Sequence, residues 1–234
     1  MLTQIDYETC RRLFQKYDIH LSEQQHDLLC KYADLMINEP QNLSAINNLH
    51  DIWIRHFLDS AILIHHFPQN ANIIDIGTGG GIPGIPLAVF RPDLHITLLD
   101  SELSKIDFCK KAVDALSLEC ETLAARAEDI GHDAEFRERF DFAVSRAMAQ
   151  GSMLCELSLP LVKPNGALIA MKGRAFDLIA ERFTSAAEAL NAEQPVVLEY
   201  QLEGELKYLV TVRKSVSTPE KYPRRFAKIK RDPL

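Results

Sequence analysis

The chain is expected to fold as an α/β protein: a mostly parallel sheet covered by helices on both faces, preceded by a helical extension and finished by an antiparallel hairpin. Three observations carry that expectation. From residue 72 onward, short apolar runs ("NIIDI", "HITLLD", "FDFAVS", "ALIAMK") alternate with amphipathic stretches, as strands buried on both faces do when crossover helices join them. The last two strand-like runs, "PVVLEYQL" and "LKYLVTVRK", are separated only by "EGE", too short for a helical crossover, so they pair antiparallel. A glycine-rich turn, "IIDIGTGGGIPGIPL" at 73–87, follows the first strand and opens a helix. It puts backbone N–H groups at a helix N-terminus, where a ligand can approach with no Cβ in the way.

The extension occupies residues 1–67. "YETCRRLFQKY" and "SEQQHDLLCKYADLM" repeat apolar residues at three- and four-residue spacing. Ser22 is an N-cap candidate with Gln25 at the capping-box position. Pro40 interrupts, "NLSAI" reads as a loop, and a third helix runs from about His50 to Phe67. The α/β domain is expected over 68–216. Its helices are "IPLAVF", "KIDFCKKAVDAL", "SMLCELSLPLV" and "FDLIAERFTSAAEAL", and "KPNG" at 163–166 is a turn before the "ALIAMK" strand. A basic tail follows over 217–234.

Composition narrows the class. With 234 residues, 47% of them hydrophobic and 25% charged, the chain is a soluble globular protein able to bury a core. No run reaches the roughly 18 apolar residues of a membrane span, and "MLTQIDYETCRR" is no signal peptide. Five cysteines with no C-x-x-C pair indicate reduced thiols in a cytoplasm, with neither a disulfide frame nor a metal site. The net charge of −7 is uneven: residues 207–234 hold nine Lys/Arg and two acids, +7, leaving −14 on the rest. An acidic body with a basic tail points to a polyanionic partner.

The turn supports two readings. Gly79-x-Gly81-x-x-Gly84, with Asp100 further on, matches the dinucleotide fingerprint. Asp75-x-Gly77-x-Gly79-x-Gly81 instead sets an acid beside the turn, suited to a cofactor with a cationic amino-acid end such as S-adenosylmethionine and ill suited to a pyrophosphate. The absence of a Tyr-x-x-x-Lys pair and of a Walker motif favours the second. Asp100, ending "HITLLD", is placed to accept hydrogen bonds from both ribose hydroxyls. Ala127 and Glu128, in "ARAED", sit where the third strand would meet the adenine.

With "NLSAI", "RHFLDS", "DIGTGGGIPGIPLAVFRP", "LLDS", "ARAED", "SRAMA" and "AMKG" in place over about 42–173, the chain resembles the RsmG (GidB) family of small-subunit ribosomal RNA guanine-N7 methyltransferases. The resemblance implies a class I methyltransferase fold, Rossmann-like, with a mostly parallel seven-stranded sheet, an antiparallel C-terminal hairpin and the helical extension. It implies S-adenosylmethionine bound by Gly77 and Ile82 in the turn, by Ala127 and Glu128, and by Arg146 of "SRA". It implies a guanine of 16S rRNA, in naked RNA or in the small ribosomal subunit, as the target. Where this family commonly has threonine, this chain has Ser44. A monomer without metal is expected.

Guanine N7 carries an in-plane lone pair and no proton, so the chemistry needs proximity and orientation and no general base. An [N/D/S]-P-P-[Y/F/W] motif and a cysteine after proline, which would mark amino-group and pyrimidine C5 chemistry, are absent from the sequence. Arg146, at the end of the fourth strand, is expected to orient cofactor or guanine, through O6 or phosphate, since a donor on N7 would block attack. Arg126 and Lys172 occupy adjacent strand ends and are candidates for RNA phosphates or the base. In "RHFLDS", Arg55–Asp59 and His56–Ser60 have the i, i+4 spacing of helix pairs. In the tail, Arg224, Arg225, Lys228 and Lys230 are candidate phosphate contacts, with Tyr222 and Phe226 able to stack on exposed bases. Other readings on the same fold are a methyltransferase for another RNA site or a small molecule, and a non-catalytic nucleotide-binding module.

Overall fold

Most apolar runs take the form their pattern sets. The computed structural model describes residues 6–40 and 48–234; "NLSAI", with Ser44, lies outside them. Asp6 caps α1 (Tyr7–Gln15), accepting from the Thr9 N–H at 3.0 Å. Ser22 and Gln25 close the capping box of α2 (Glu23–Asn38). The third helix is composite: α3 (Leu49–Ile52), a π-helical stretch Trp53–Leu58, α4 (Asp59–Ala61) and a 3-10 turn Ile62–His65.

Seven strands form one sheet in the order β3-β2-β1-β4-β5-β7-β6. They are β1 (Asn72–Ile76), β2 (His95–Asp100), β3 (Cys120–Ala124), β4 (Phe140–Arg146), β5 (Val162–Lys172), β6 (Val196–Leu202) and β7 (Glu205–Arg213). The first five pair in parallel, and β7 runs against both β5 and β6. The hairpin turns on Glu203 and Gly204, both at positive φ, the two-residue connection whose twist matches that of the strands. The order reverses between β1 and β4, and that switch point is where open sheets of this kind take ligands. Between the strands run α5 (Gly84–Phe90), α6 (Leu103–Leu116), α7 (Ala127–Ile130), α8 (Gly151–Ser158) and α9 (Phe183–Ala189); α10 (Phe226–Arg231) closes the chain.

Two expectations shift. "KPNG" lies inside β5 as a bulge: Phe140 pairs with Val162 but Phe142 pairs with Ala167, and Asn165 takes the left-handed conformation. The helix foreseen from Phe176 begins only at Phe183, because residues 177–182 turn back. That turn brings the Glu181 carboxylate to Lys172 Nζ at 2.6 Å and the Glu181 carbonyl to the Ser152 N–H at 2.8 Å.

The extension packs on one face of the sheet with α5 and α6, around Phe14, Trp53, Phe57 and Tyr32. Leu154, Phe183, Ala186 and Ile229 fill the opposite face. The extension is also stitched to the hairpin. Lys16 Nζ meets Glu203 at 3.2 Å, and the Tyr17 hydroxyl both donates to the Glu203 carboxylate at 3.0 Å and accepts from its N–H at 2.7 Å. All five cysteines carry free thiols. No helix among the described residues is long and apolar enough to cross a membrane.

Candidate active site

The glycine turn is fastened on every side. Gly77 and Thr78 N–H groups donate to the Leu99 carbonyl at 2.9 and 3.0 Å, which pins the turn to the end of β2. From α2, the buried Tyr32 hydroxyl donates to the Gly80 carbonyl. From β1, Asp75 Oδ2 accepts from the Thr78 hydroxyl at 2.6 Å and from the Gly84 N–H at 2.9 Å. Asp75 is fully buried and lines neither of the clefts below. Its expected place facing a ligand is corrected: the carboxylate turns inward to organise the turn and the start of α5. Burial raises its pKa to about 6, against the hydrogen bonds from Thr78 and Gly84 that favour the ionised form.

Two clefts open at the strand ends. The first, about 350 Å³, runs from Gly77 and Gly79 past Asp100 to Ala127, Glu128 and Phe226. A Cβ added at Gly79 would meet nothing within 4 Å, so the turn presents bare backbone to open space. Asp100 Oδ2 accepts from the Gly79 N–H and Oδ1 from the Glu102 N–H, each at 3.0 Å. The acid therefore orients the turn and also lines the cleft. Gly81 faces the Ile85 and Tyr32 side chains instead.

The second cleft, about 510 Å³, lies on the other side of the turn, lined by Ile82, Arg55, His56, Asp59, Arg146, Lys172 and Lys207 among others. Arg146 donates to the Arg55 carbonyl and, at 2.9 Å, to His56 Nδ1, so the second His56 nitrogen carries the ring proton. Burial, then the Arg146 charge, lowers the His56 pKa to about 3; the imidazole is neutral near pH 7. Asp59 Oδ1 accepts from the Tyr200 hydroxyl at 2.8 Å, and Oδ2 lies 3.8 Å from Arg146 and 3.9 Å from Lys207. The foreseen Arg55–Asp59 pair does not form. The π-helical stretch changes the phase of the helix, Arg55 reaches Glu205 at 2.6 Å, and Ser60 donates to the His56 backbone carbonyl. Sequence reasoning singled out Asp59 only as half of a helix pair and missed Lys207 as a site residue. A further signal for Asp59 was an aspartate inside the apolar run "FLDSAILI".

The remaining candidates divide. Gly77, Gly79, Asp100, Ala127, Glu128 and Arg146 meet in the first cleft, and Ile82 in the second. Arg126 is exposed at the first cleft's rim, 3.6 Å from Glu128, its guanidinium 5.9 Å from the Phe226 ring centroid. Lys172 borders the second cleft, but its ammonium is held by Glu181 and the Ala149 carbonyl at 2.6 and 2.9 Å. The tail is not a loose arm. Arg224 forks onto the buried Glu156 carboxylate of α8 at 2.7 and 2.6 Å, so it is unavailable to phosphate. Lys228 pairs with Asp232 on the surface. Arg225 and Lys230 are exposed.

Comparison with known proteins gives a consistent result. A family model described as "GidB: rRNA small subunit methyltransferase G" matches residues 25–203. The chain is 37% identical over 237 residues to the ribosomal RNA small subunit methyltransferase G of Streptococcus uberis, covering 97% of this chain and 99% of that protein. It is 41% identical over 214 residues to the protein of the same name from Moorella thermoacetica, covering 88% and 89%. Among solved structures, the precorrin-6y C5,15-methyltransferase of Geobacter metallireducens matches with a TM-score of 0.51 at 14% identity, over 67% of this chain and 87% of that one. TYW2 of M. jannaschii, in complex with AdoMet, matches with a TM-score of 0.51 at 14% identity, over 66% and 73%. These structures share the class I methyltransferase fold.

Proposed function

Because the chain belongs to the family of GidB, rRNA small subunit methyltransferase G, we propose that it transfers the methyl group of S-adenosylmethionine to N7 of a guanine in 16S rRNA, in line and without a general base. The observation that carries this reading is the junction of the two clefts: Gly77, Gly79, Arg146 and Ala147 line both. A nucleoside seated in one presents its far end to the other.

The first cleft suits S-adenosylmethionine. It offers the Asp100 carboxylate for ribose hydroxyls, bare backbone at Gly79, and Ala127 and Glu128 for the base. A fold relative was solved with AdoMet. When bound, the cofactor supplies a methyl group made electrophilic by its sulfonium. The chain's own part is to bind, orient and handle charge.

The second cleft suits a guanine. Arg146 and Lys207 are cations for its O6 edge, and the Asp59 carboxylate is an acceptor for N1–H and the 2-amino group. That arrangement leaves N7 free of donors. His56 is too weak a base to take a proton, and N7 attack asks for none. His56 instead holds Arg146 in place. Arg126 at the rim of the first cleft and the exposed tail cations Arg225 and Lys230 are proposed to meet RNA phosphates.

The test is methylation of naked 16S rRNA and of assembled small subunits with labelled S-adenosylmethionine, followed by mapping of the modified atom. Label on a single guanine N7 is the expected result. Label on an exocyclic amine, or on no RNA at all, removes the reading.

A further inference from the structure

We infer that the C-terminal segment forms a wall of the nucleoside cleft, with the Phe226 ring as the surface on which an adenine base stacks. This rests on the S-adenosyl reading given above and assigns to cofactor binding a ring whose sequence context had suggested RNA.

Three features place the ring. First, the segment leading to it is fixed. Arg137 donates to the Thr218 and Tyr222 carbonyls at 2.8 and 2.9 Å, and Glu156 holds the Arg224 side chain and its backbone N–H. Second, α10 is anchored through Ile229, which is fully buried, yet Phe226, one turn earlier, stays 38% exposed. Its exposed part lines the cleft beside Ala127 and Glu128. An aromatic ring that lines a cleft and is left partly uncovered by the core is a surface for a flat ligand. Third, the location is the base end. In a crevice at the strand ends, the ribose goes to the acid ending β2 and the base to the end of β3; Asp100 and Ala127 mark those positions here. Arg126 packs near the same ring, and a cation there holds its orientation.

The experiment is calorimetric titration of the full-length chain with S-adenosylhomocysteine. Phe226→Ala is expected to bind about tenfold more weakly than wild type, the scale of one base–aromatic stack, while Phe226→Trp stays within about threefold. Because the chain's one tryptophan, Trp53, is buried in the extension, Phe226→Trp adds an emission that a stacked adenine quenches. Melting temperatures of both variants, measured without ligand, report on folding. Equal affinity of Phe226→Ala and wild type, or an unquenched Phe226→Trp emission, overturns the inference. So does a Phe226→Ala variant impaired only in RNA binding. Wild type that takes no S-adenosylhomocysteine brings down the cofactor reading itself, a distinguishable result.

Discussion

Asp100 and His56 show how much chemistry a single buried or half-buried side chain sets. Asp100 accepts two backbone hydrogen bonds and faces the first cleft. With two ribose bonds at about 1.5 kcal/mol each, Asp100→Ala is expected to lose roughly a hundredfold in S-adenosylhomocysteine affinity, read by calorimetry. His56 makes a pH prediction. Its folded pKa of about 3 lies below the ordinary 6.5, so the unfolded chain binds the proton more readily. The stability it contributes is present above about pH 6.5 and is lost as pH falls toward 3. Asp75 works in the opposite sense: its pKa is about 6 folded against 3.8 ordinarily, so its ionisation weakens the fold and that loss is recovered as pH falls from 6 to 3.8. Thermal midpoints of wild type and His56→Asn across pH 3 to 7 isolate the histidine; the variant should fall less steeply. Sequence spacing found Asp75 and Asp100 together, but only the fold shows that one points into the core and the other into the cleft. Asp100 ends β2 whereas Asp75 lies one residue inside the end of β1, and which side each presents depends on neighbours far along the chain.

At the scale of elements, one tight joint is the start of α5 against β1 and β2. A Cβ on Gly84 would lie 2.9 Å from Asp75 Oδ2 and closer still to the Leu98 side chain. Gly84→Ala is therefore expected to cost about 1–3 kcal/mol, a fall of several degrees in melting temperature by calorimetry. The parallel strands, the hairpin and the capping box were legible because each has a local cause: buried apolar runs, a short connection, a serine three residues before a glutamine. The π-helical stretch, the bulge at "KPNG" and the late start of α9 were not. Each is set by a partner from elsewhere in the chain, such as Glu205 drawing Arg55 or Lys172 drawing Glu181.

Over the whole molecule, the ends of the chain belong to its centre. The sequence offered Arg224 of the basic tail as a phosphate contact because charge counts carry no information about pairing, whereas Arg224 closes on a carboxylate with no exposure. Removing that partner leaves the buried Glu156 without its ion pair, so Arg224→Ala should destabilise the protein by about 3–5 kcal/mol in urea unfolding, and Glu156→Gln in the same background should restore part of it. The extension is joined to the site as well: Tyr32 reaches the turn that both clefts share. Lys16 clasps Glu203 across 187 positions. That last seam orders the protein's birth: the helices of the extension, which precede the hairpin in the chain, lack this partner until the hairpin has been synthesised. A prematurely terminated chain would thus carry every glycine of the turn and still lack the clamp at the far end of the helices that brace it.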